Sequence, residues 1–200
     1  MSEVETLRIF VALELDPETQ ASVADLSSRL QKAALFTPAR FSWVPDSNLH
    51  LTLFFLGPIS VHHARNLLHR TSLAVAECPS FEIDIRHLGY FPAAGEPPRV
   101  LWTGVHNPPT ELTTLRARCA DAIADAGLPV PDQQFTPHIT LARIKSTKGL
   151  REFQKATDSY RFVKCGKSTV KAVAVMESVT GDGPAIYRPF GHAPLKDCTR

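Results

Sequence analysis

Two short segments, Asn48-Leu49-His50-Leu51-Thr52-Leu53-Phe54 and Thr136-Pro137-His138-Ile139-Thr140-Leu141-Ala142, share one pattern: histidine, aliphatic, threonine, aliphatic. Alternate side chains of a strand share a face, so each histidine and its threonine stand about 7 Å apart on one side while the aliphatic residues fill the other. Imidazole has an unperturbed pKa of about 6.5, so two of them at neutral pH can divide into a neutral base and a protonated acid. Two hydroxyls beside them can hydrogen-bond phosphoryl oxygens. Such a set suits in-line phosphodiester hydrolysis without a metal. A third His-x-Thr, His69-Arg70-Thr71, lies in a helical stretch, where positions two apart point to nearly opposite sides, and its middle residue is charged. It is not the same device.

The flanking sequence supplies elements to hold both motifs. Leu7 to Leu15 reads as a buried strand, and Asp16-Pro17-Glu18 offers a helix cap, a proline at the first helical position and an early acid. A helix then runs to Ala34, with Val23, Leu26, Leu30 and Ala33 at helical spacing. Phe41 to Val44 is a short strand, Pro45 to Asn48 a turn, and Leu49 to Leu56 a strand that stops at Gly57-Pro58. Further helices are predicted over Ser60 to Ala76 and Pro109 to Ala126, the latter stopped by Gly127, with a weaker one over Leu150 to Tyr160. Strands are predicted over Phe81 to Leu88, Val100 to Val105, Pro137 to Ala142, Val170 to Glu177 and Ile186 to Phe190. Gly89 to Pro98 reads as a hairpin loop, Asp182-Gly183-Pro184 as a turn, and the tail from Pro194 as frayed. Strand, helix, loop and His-x-Thr strand occur twice at offsets of about 90 residues, which suits a duplicated α+β lobe facing its twin across a cleft.

Composition narrows the class. The 200 residues are 44% hydrophobic and 21% charged, values of a globular chain rather than a disordered, collagenous or coiled-coil one. No apolar run reaches membrane-spanning length and Met1 to Glu5 is acidic, so a cytoplasmic protein away from membranes is expected. Cys78, Cys119, Cys165 and Cys198 show no metal-site spacing and read as free thiols. The net charge is only +2, but Met1 to Leu30 carries a balance of −4 and Arg143 to Lys171 one of +7. One end of the molecule can attract phosphates, and the basic run is a candidate surface for RNA backbone.

The motif pair, with Arg8-Ile9-Phe10-Val11-Ala12, Trp43-Val44-Pro45, Val100-Leu101-Trp102, Pro137 to Arg143 and Tyr187, resembles the 2H phosphoesterase superfamily, specifically the bacterial and archaeal RNA 2′,3′-cyclic phosphodiesterases once called 2′-5′ RNA ligases. The resemblance covers nearly the whole chain. It implies a bilobal α+β fold, with two antiparallel sheets lining a central cleft and helices packed outside, formed by residues 1–200 as one domain. It implies hydrolysis of 2′,3′-cyclic phosphate ends of RNA or oligonucleotides to 2′-phosphomonoesters; no cofactor and no metal are expected, and the chain is expected to act as a monomer. By the same resemblance His50 donates a proton to the departing 3′ oxygen, His138 activates water, and Thr52 and Thr140 hold the phosphate. Arg143 would contact the substrate, although plain alternation from His138 puts it on the opposite face. Phe10 and Tyr187 are candidates for base stacking or packing.

Cleavage of 2′-5′ phosphodiesters and its reversal, 2′-5′ RNA ligation, lie in the same class, since one acid–base pair serves both directions. The alternative from another class is a non-catalytic module that clamps a terminal RNA phosphate. A zinc enzyme finds two histidines but no third ligand at a recognisable spacing.

Overall fold

The first motif strand cannot be understood without the strands either side of it, so the sheet is built outward from there. The computed structural model describes residues 5–93, 95–132, 134–179 and 185–197. The predicted turn at Asp182-Gly183-Pro184 and the thiol of Cys198 lie outside the described residues. Strand β1 (Thr6–Glu14) leads into helix α1 (Pro17–Ala34); after the short β2 (Arg40–Trp43) comes β3 (His50–Ser60) and helix α2 (Val61–Val75). Then follow β4 (Phe81–Phe91), β5 (Val100–His106), helix α3 (Thr110–Asp125), β6 (His138–Ser146), helix α4 (Leu150–Ala156), β7 (Lys164–Val170), β8 (Ala172–Val179) and β9 (Ile186–Pro194).

All strand pairings are antiparallel, in the order β7-β4-β5-β6-β3-β1-β8-β9, with β2 added on β6. The expected α+β architecture with two sheets appears as two four-stranded halves, β6-β5-β4-β7 and β3-β1-β8-β9. They meet at β6 and β3 through one register pair, Leu51↔Ile139, which makes the sheet continuous. One face packs Ile9, Val11, Leu13, Leu51, Ile83, Ile85, Leu101 and Ile139 against Val23, Leu26 and Leu30 of α1, Leu67 of α2 and Leu112, Leu115 and Ile123 of α3. The other face lines the cleft.

Asp16 caps α1 as its sequence suggests: its Oδ1 accepts from the Thr19 amide at 2.8 Å. Its Oδ2 also accepts from the Thr169 amide, and Thr19 Oγ1 donates to the Lys167 carbonyl, so the start of α1 is sewn to β7 in the far half of the sheet. Strand β7 itself is not predicted from the sequence. It is an edge strand of polar residues with only Cys165, Ser168 and Val170 buried, too weak an alternation to read unaided.

Other boundaries differ from expectation as well: β4 runs on to Phe91, α4 ends at Ala156, and β9 runs on to Pro194. Strand β3 continues through Gly57-Pro58 to Ser60, because there it pairs only with β1, so the missing proline amide costs no ladder bond on its free side. Strand β6 runs on past Ala142 to Ser146 on support from β2. The tail does not fray at Pro194: Leu195 is buried, and the Lys196 amide donates to the Cys78 carbonyl at 2.8 Å. Among the described residues no helix is long and apolar enough to cross a membrane. Cys78, Cys119 and Cys165 are free thiols.

Candidate active site

The Leu51↔Ile139 pair decides the geometry of the motif residues. In an antiparallel register, one step either side of that pair puts His50 opposite Thr140 and Thr52 opposite His138. With a spacing of two positions along each strand and about 4.8 Å between strands, the four side chains form a quadrilateral with the imidazoles on one diagonal, roughly 8 Å apart at the backbone. The hydroxyls take the other diagonal.

Each imidazole is held by its own strand. His50 Nδ1 lies 2.6 Å from the Asn48 carbonyl and His138 Nδ1 lies 2.6 Å from the Thr136 carbonyl. A carbonyl only accepts, so Nδ1 carries the proton in both rings and Nε2 is left to exchange protons with a substrate. His50 Nε2 lies 3.0 Å from Thr52 Oγ1. Burial pushes both imidazoles below the usual histidine range. For His50 the Asn48 carbonyl and the Glu14 carboxylate pull against that shift, while His138 adds to it. For His138 the Thr136 carbonyl is the opposing influence.

Arg143 is on the cleft side, and the reason is a β-bulge. Leu101 pairs with Ala142 while Trp102 pairs with Thr140, so Leu141 is the extra residue and the alternation flips after it. Ala142 then faces the core and Arg143 shares a cavity of about 40 Å³ with His50, Thr52, Thr140, Phe55 and Tyr187. The strand does not end early; simple parity fails because of one inserted residue. Strand β3 carries a matching bulge at Leu53, where Val11 pairs with Phe54 and Ala12 with Thr52. It turns Phe55, five residues after His50 as Arg143 is five after His138, toward the same cavity, where it is 52% exposed.

The two aromatic candidates separate. Tyr187 is partly exposed, meets the His50 ring edge-on at 5.3 Å and lines the cavities on both sides of it. Phe10 is 3% exposed; it packs with Ala12, Ala174 and Met176 behind the site, 4.9 Å from the His50 ring and 5.0 Å from Tyr187. Of stacking on a base and packing, Phe10 is placed for packing.

Several further residues at the site were not among the candidates singled out from the sequence. Glu14 is the cross-strand partner of His50, whereas His138 faces Gly104, so the two histidines have unlike neighbours. Glu14 also holds His192 at 2.7 Å. Phe91 and Trp102 support His138, at 4.8 and 6.1 Å between ring centroids, and stack on each other at 4.8 Å. Trp102 lies over Gly89, where a Cβ would sit 2.2 Å from its ring. A second cavity of about 290 Å³ opens beside His138 and Thr52, walled by Phe55, Phe91, Phe135, Gln134 and Arg116. The Arg116 guanidinium lies between the rings of Phe54 and Phe135, at 4.4 and 4.6 Å from their centroids. Of these, Trp102 belongs to the Val100-Leu101-Trp102 segment that carries the resemblance, and Phe55 was within reach through its offset from His50. Among the described residues no three His, Cys, Asp or Glu side chains are grouped to hold a metal.

Comparison with known proteins gives the family and the fold. The sequence model of the 2′-5′ RNA ligase superfamily matches residues 15–182. The chain belongs to that superfamily. Among its relatives in the superfamily, the RNA 2′,3′-cyclic phosphodiesterase of Aeropyrum pernix is 33% identical over 162 residues, 80% of this chain and 90% of the relative. The enzyme of the same name from Aquifex aeolicus is 33% identical over 170 residues, 83% of this chain and 88% of its own. The superfamily fold is also seen in a crystal structure of E. coli LigT complexed with 3′-AMP, at 24% identity and a TM-score of 0.73, covering 96% of this chain and 99% of that one.

Proposed function

We propose that this protein hydrolyses the 2′,3′-cyclic phosphate ends of RNA or oligonucleotides to 2′-phosphomonoesters, without a metal, through His50 and His138. The observation that carries the reading is the diagonal placement of two imidazoles, each with Nδ1 committed to a backbone carbonyl and Nε2 turned to the cleft. In-line displacement needs a base on one side of phosphorus and an acid on the other, which a diagonal pair supplies. The names of the relatives point to the same reaction.

His138 Nε2 takes a proton from water as its oxygen bonds to phosphorus. The bond to the 3′ oxygen breaks, and His50 Nε2 delivers the proton that oxygen needs. Glu14 beside His50 favours the protonated ring there, and Gly104 beside His138 gives no such help, which supports His50 as the acid and His138 as the base. Thr52 and Thr140 donate hydrogen bonds to the non-bridging oxygens and Arg143 neutralises their charge. Phe55 and Tyr187 offer faces to the nucleoside, while Phe10 holds His50 and Tyr187 in place. A 5′-hydroxyl in place of water would give a 2′-5′ linkage with the same proton transfers.

The test is an RNA oligonucleotide ending in a 2′,3′-cyclic phosphate, incubated in EDTA with the wild type, His50→Ala and His138→Ala. A 2′-phosphate product from the wild type, with each variant slower by about 10²–10⁴-fold, is the expected result. End-binding without turnover in the wild type would instead make the protein a phosphate clamp. Turnover surviving both substitutions would put the site elsewhere.

A further inference from the structure

The basic run from Arg143 to Lys171 does not form one surface. Arg151 and Lys155 are exposed on α4, the helix whose Phe153 packs on Phe41 from the core side of the sheet. Lys164 and Lys167 are on β7 at the opposite edge of the sheet, and Lys167 is paired with Glu82 at 3.1 Å. Only Arg143 and Lys145 belong to the strand that carries His138.

Their partner strand adds a cation that lies outside the run. On β2, Phe41 and Trp43 pack together on the core side, which turns Arg40 and Ser42 to the cleft side. Ser42 pairs with Arg143 and Arg40 with Ser146, and the register shift between Arg40 and Phe41 leaves Lys145 as a bulged residue beside them. Arg40, Arg143 and Lys145 are all exposed. Among the described residues none of the three has an acidic partner within salt-bridge distance. On the β1 side, the residue directly across from His50 is instead an acid, Glu14, tied to His192. A polyanion anchored at the His50–His138 centre therefore meets three cations without acidic partners, Arg143, Lys145 and Arg40, as it leaves across the β2–β6 rim.

We propose that Arg40 and Lys145, continuing outward from Arg143, form a track for the phosphodiester backbone of the RNA strand that leads into the site. This rests on the cyclic-phosphate reading above and deepens it: the preferred substrate is the end of a chain rather than a free cyclic nucleotide. Arg143 holds the terminal phosphate, and Lys145 stands about 7 Å further along the strand, within reach of the next phosphate. The contacts are to backbone, so they add affinity without base preference.

The experiment compares kcat/KM for a 2′,3′-cyclic mononucleotide with that for a short oligonucleotide ending in the same cyclic phosphate, each across a salt series. For the wild type the oligonucleotide is favoured and its kcat/KM falls as salt rises. In the double variant Arg40→Ser, Lys145→Ser the oligonucleotide-to-mononucleotide ratio drops by about 5–20-fold, and the log–log salt slope becomes shallower by about 1.4 for two cations on a single strand. The control Lys164→Ser, Lys167→Ser keeps the ratio. A thermal melt of each variant separates loss of track from loss of fold. Equal ratios in wild type and double variant, or an equal drop in the control, would overturn the track while leaving the phosphodiesterase intact. Turnover of neither substrate by the wild type would instead overturn the reading on which the track rests.

Discussion

His50 and His138 are chemically the same side chain, and their difference lies in what stands across the strand. Both are pushed down by burial, so the free protein loses its protonated acid as pH rises through a range below about 6.5. The profile of kcat/KM should therefore be a bell whose alkaline limb begins on the acidic side of neutrality. That of kcat should lie at higher pH, because the negative charge of the bound cyclic phosphodiester, a monoanion, favours imidazolium. Replacing Glu14 by Gln removes the charge that supports protonated His50. The alkaline limb of kcat/KM should then move to lower pH while the acidic limb, set by His138, stays. Movement of both limbs together would mean that Glu14 acts on the site as a whole. Thr52→Ala and Thr140→Ala should each slow turnover by about 10–150-fold, the worth of a hydrogen bond to a charged oxygen.

At the scale of elements, bulges and glycines do what periodicity alone does not reveal. Leu53 and Leu141 are each one residue too many for their ladders, and each flips the alternation that follows it. That is why Phe55 and Arg143 reach the cleft five residues after a histidine. Gly89 leaves room for the Trp102 ring, which with Phe91 backs His138. Gly89→Ala puts a methyl group into a rigid ring, so Trp102 must move; a cost of about 1–3 kcal/mol in a denaturant melt is expected, with a drop in kcat larger than any rise in KM. Asp16 ties α1 to β7. Burial raises its carboxyl pKa, but the hydrogen bonds from Thr19, Thr169 and Ser168 outweigh that and hold it below the usual range. Its stabilising contribution is present above the unfolded aspartate pKa of about 3.9 and is lost as pH falls through the lower folded value. Asp16→Ala should cost about 1–2 kcal/mol at neutral pH and much less in strong acid, measured by melts at both.

For the whole molecule, the question is what keeps two halves of a sheet in register when one residue pair joins them. Part of the answer is the shared core behind Leu51 and Ile139, both fully buried. Another part is the chain end. After β9, Leu195 is buried, its amide donates to the Lys171 carbonyl, and Lys196 donates its amide to the Cys78 carbonyl and accepts from the Ser80 amide as the chain enters β4. The segment after the last strand of one half is thereby fastened to the first strand of the other. Leu195→Ala should destabilise the protein by about 2–3 kcal/mol, toward the low end for a leucine near the surface, and loosen the cleft. A melt unchanged by that substitution would show that the halves are held by the core alone.

The elements around the motifs were legible because they rest on local chemistry. A cap, a proline and a heptad-like apolar spacing act within a few residues, so α1 and its start at Asp16 followed from their own sequence. The motifs were legible for the same reason, each being complete within one strand. What lay beyond the sequence is everything set by a partner strand. The Leu51↔Ile139 register decides that His50 faces Thr140 rather than its twin His138, and the ladder with β5 decides that Leu141 bulges and Arg143 turns inward. The ladder with β1 puts Glu14 beside one histidine and not the other. The sequence by itself determined which groups could do chemistry. Tertiary structure decided their facing and their protonation, because register and burial depend on strands that lie far apart in the chain.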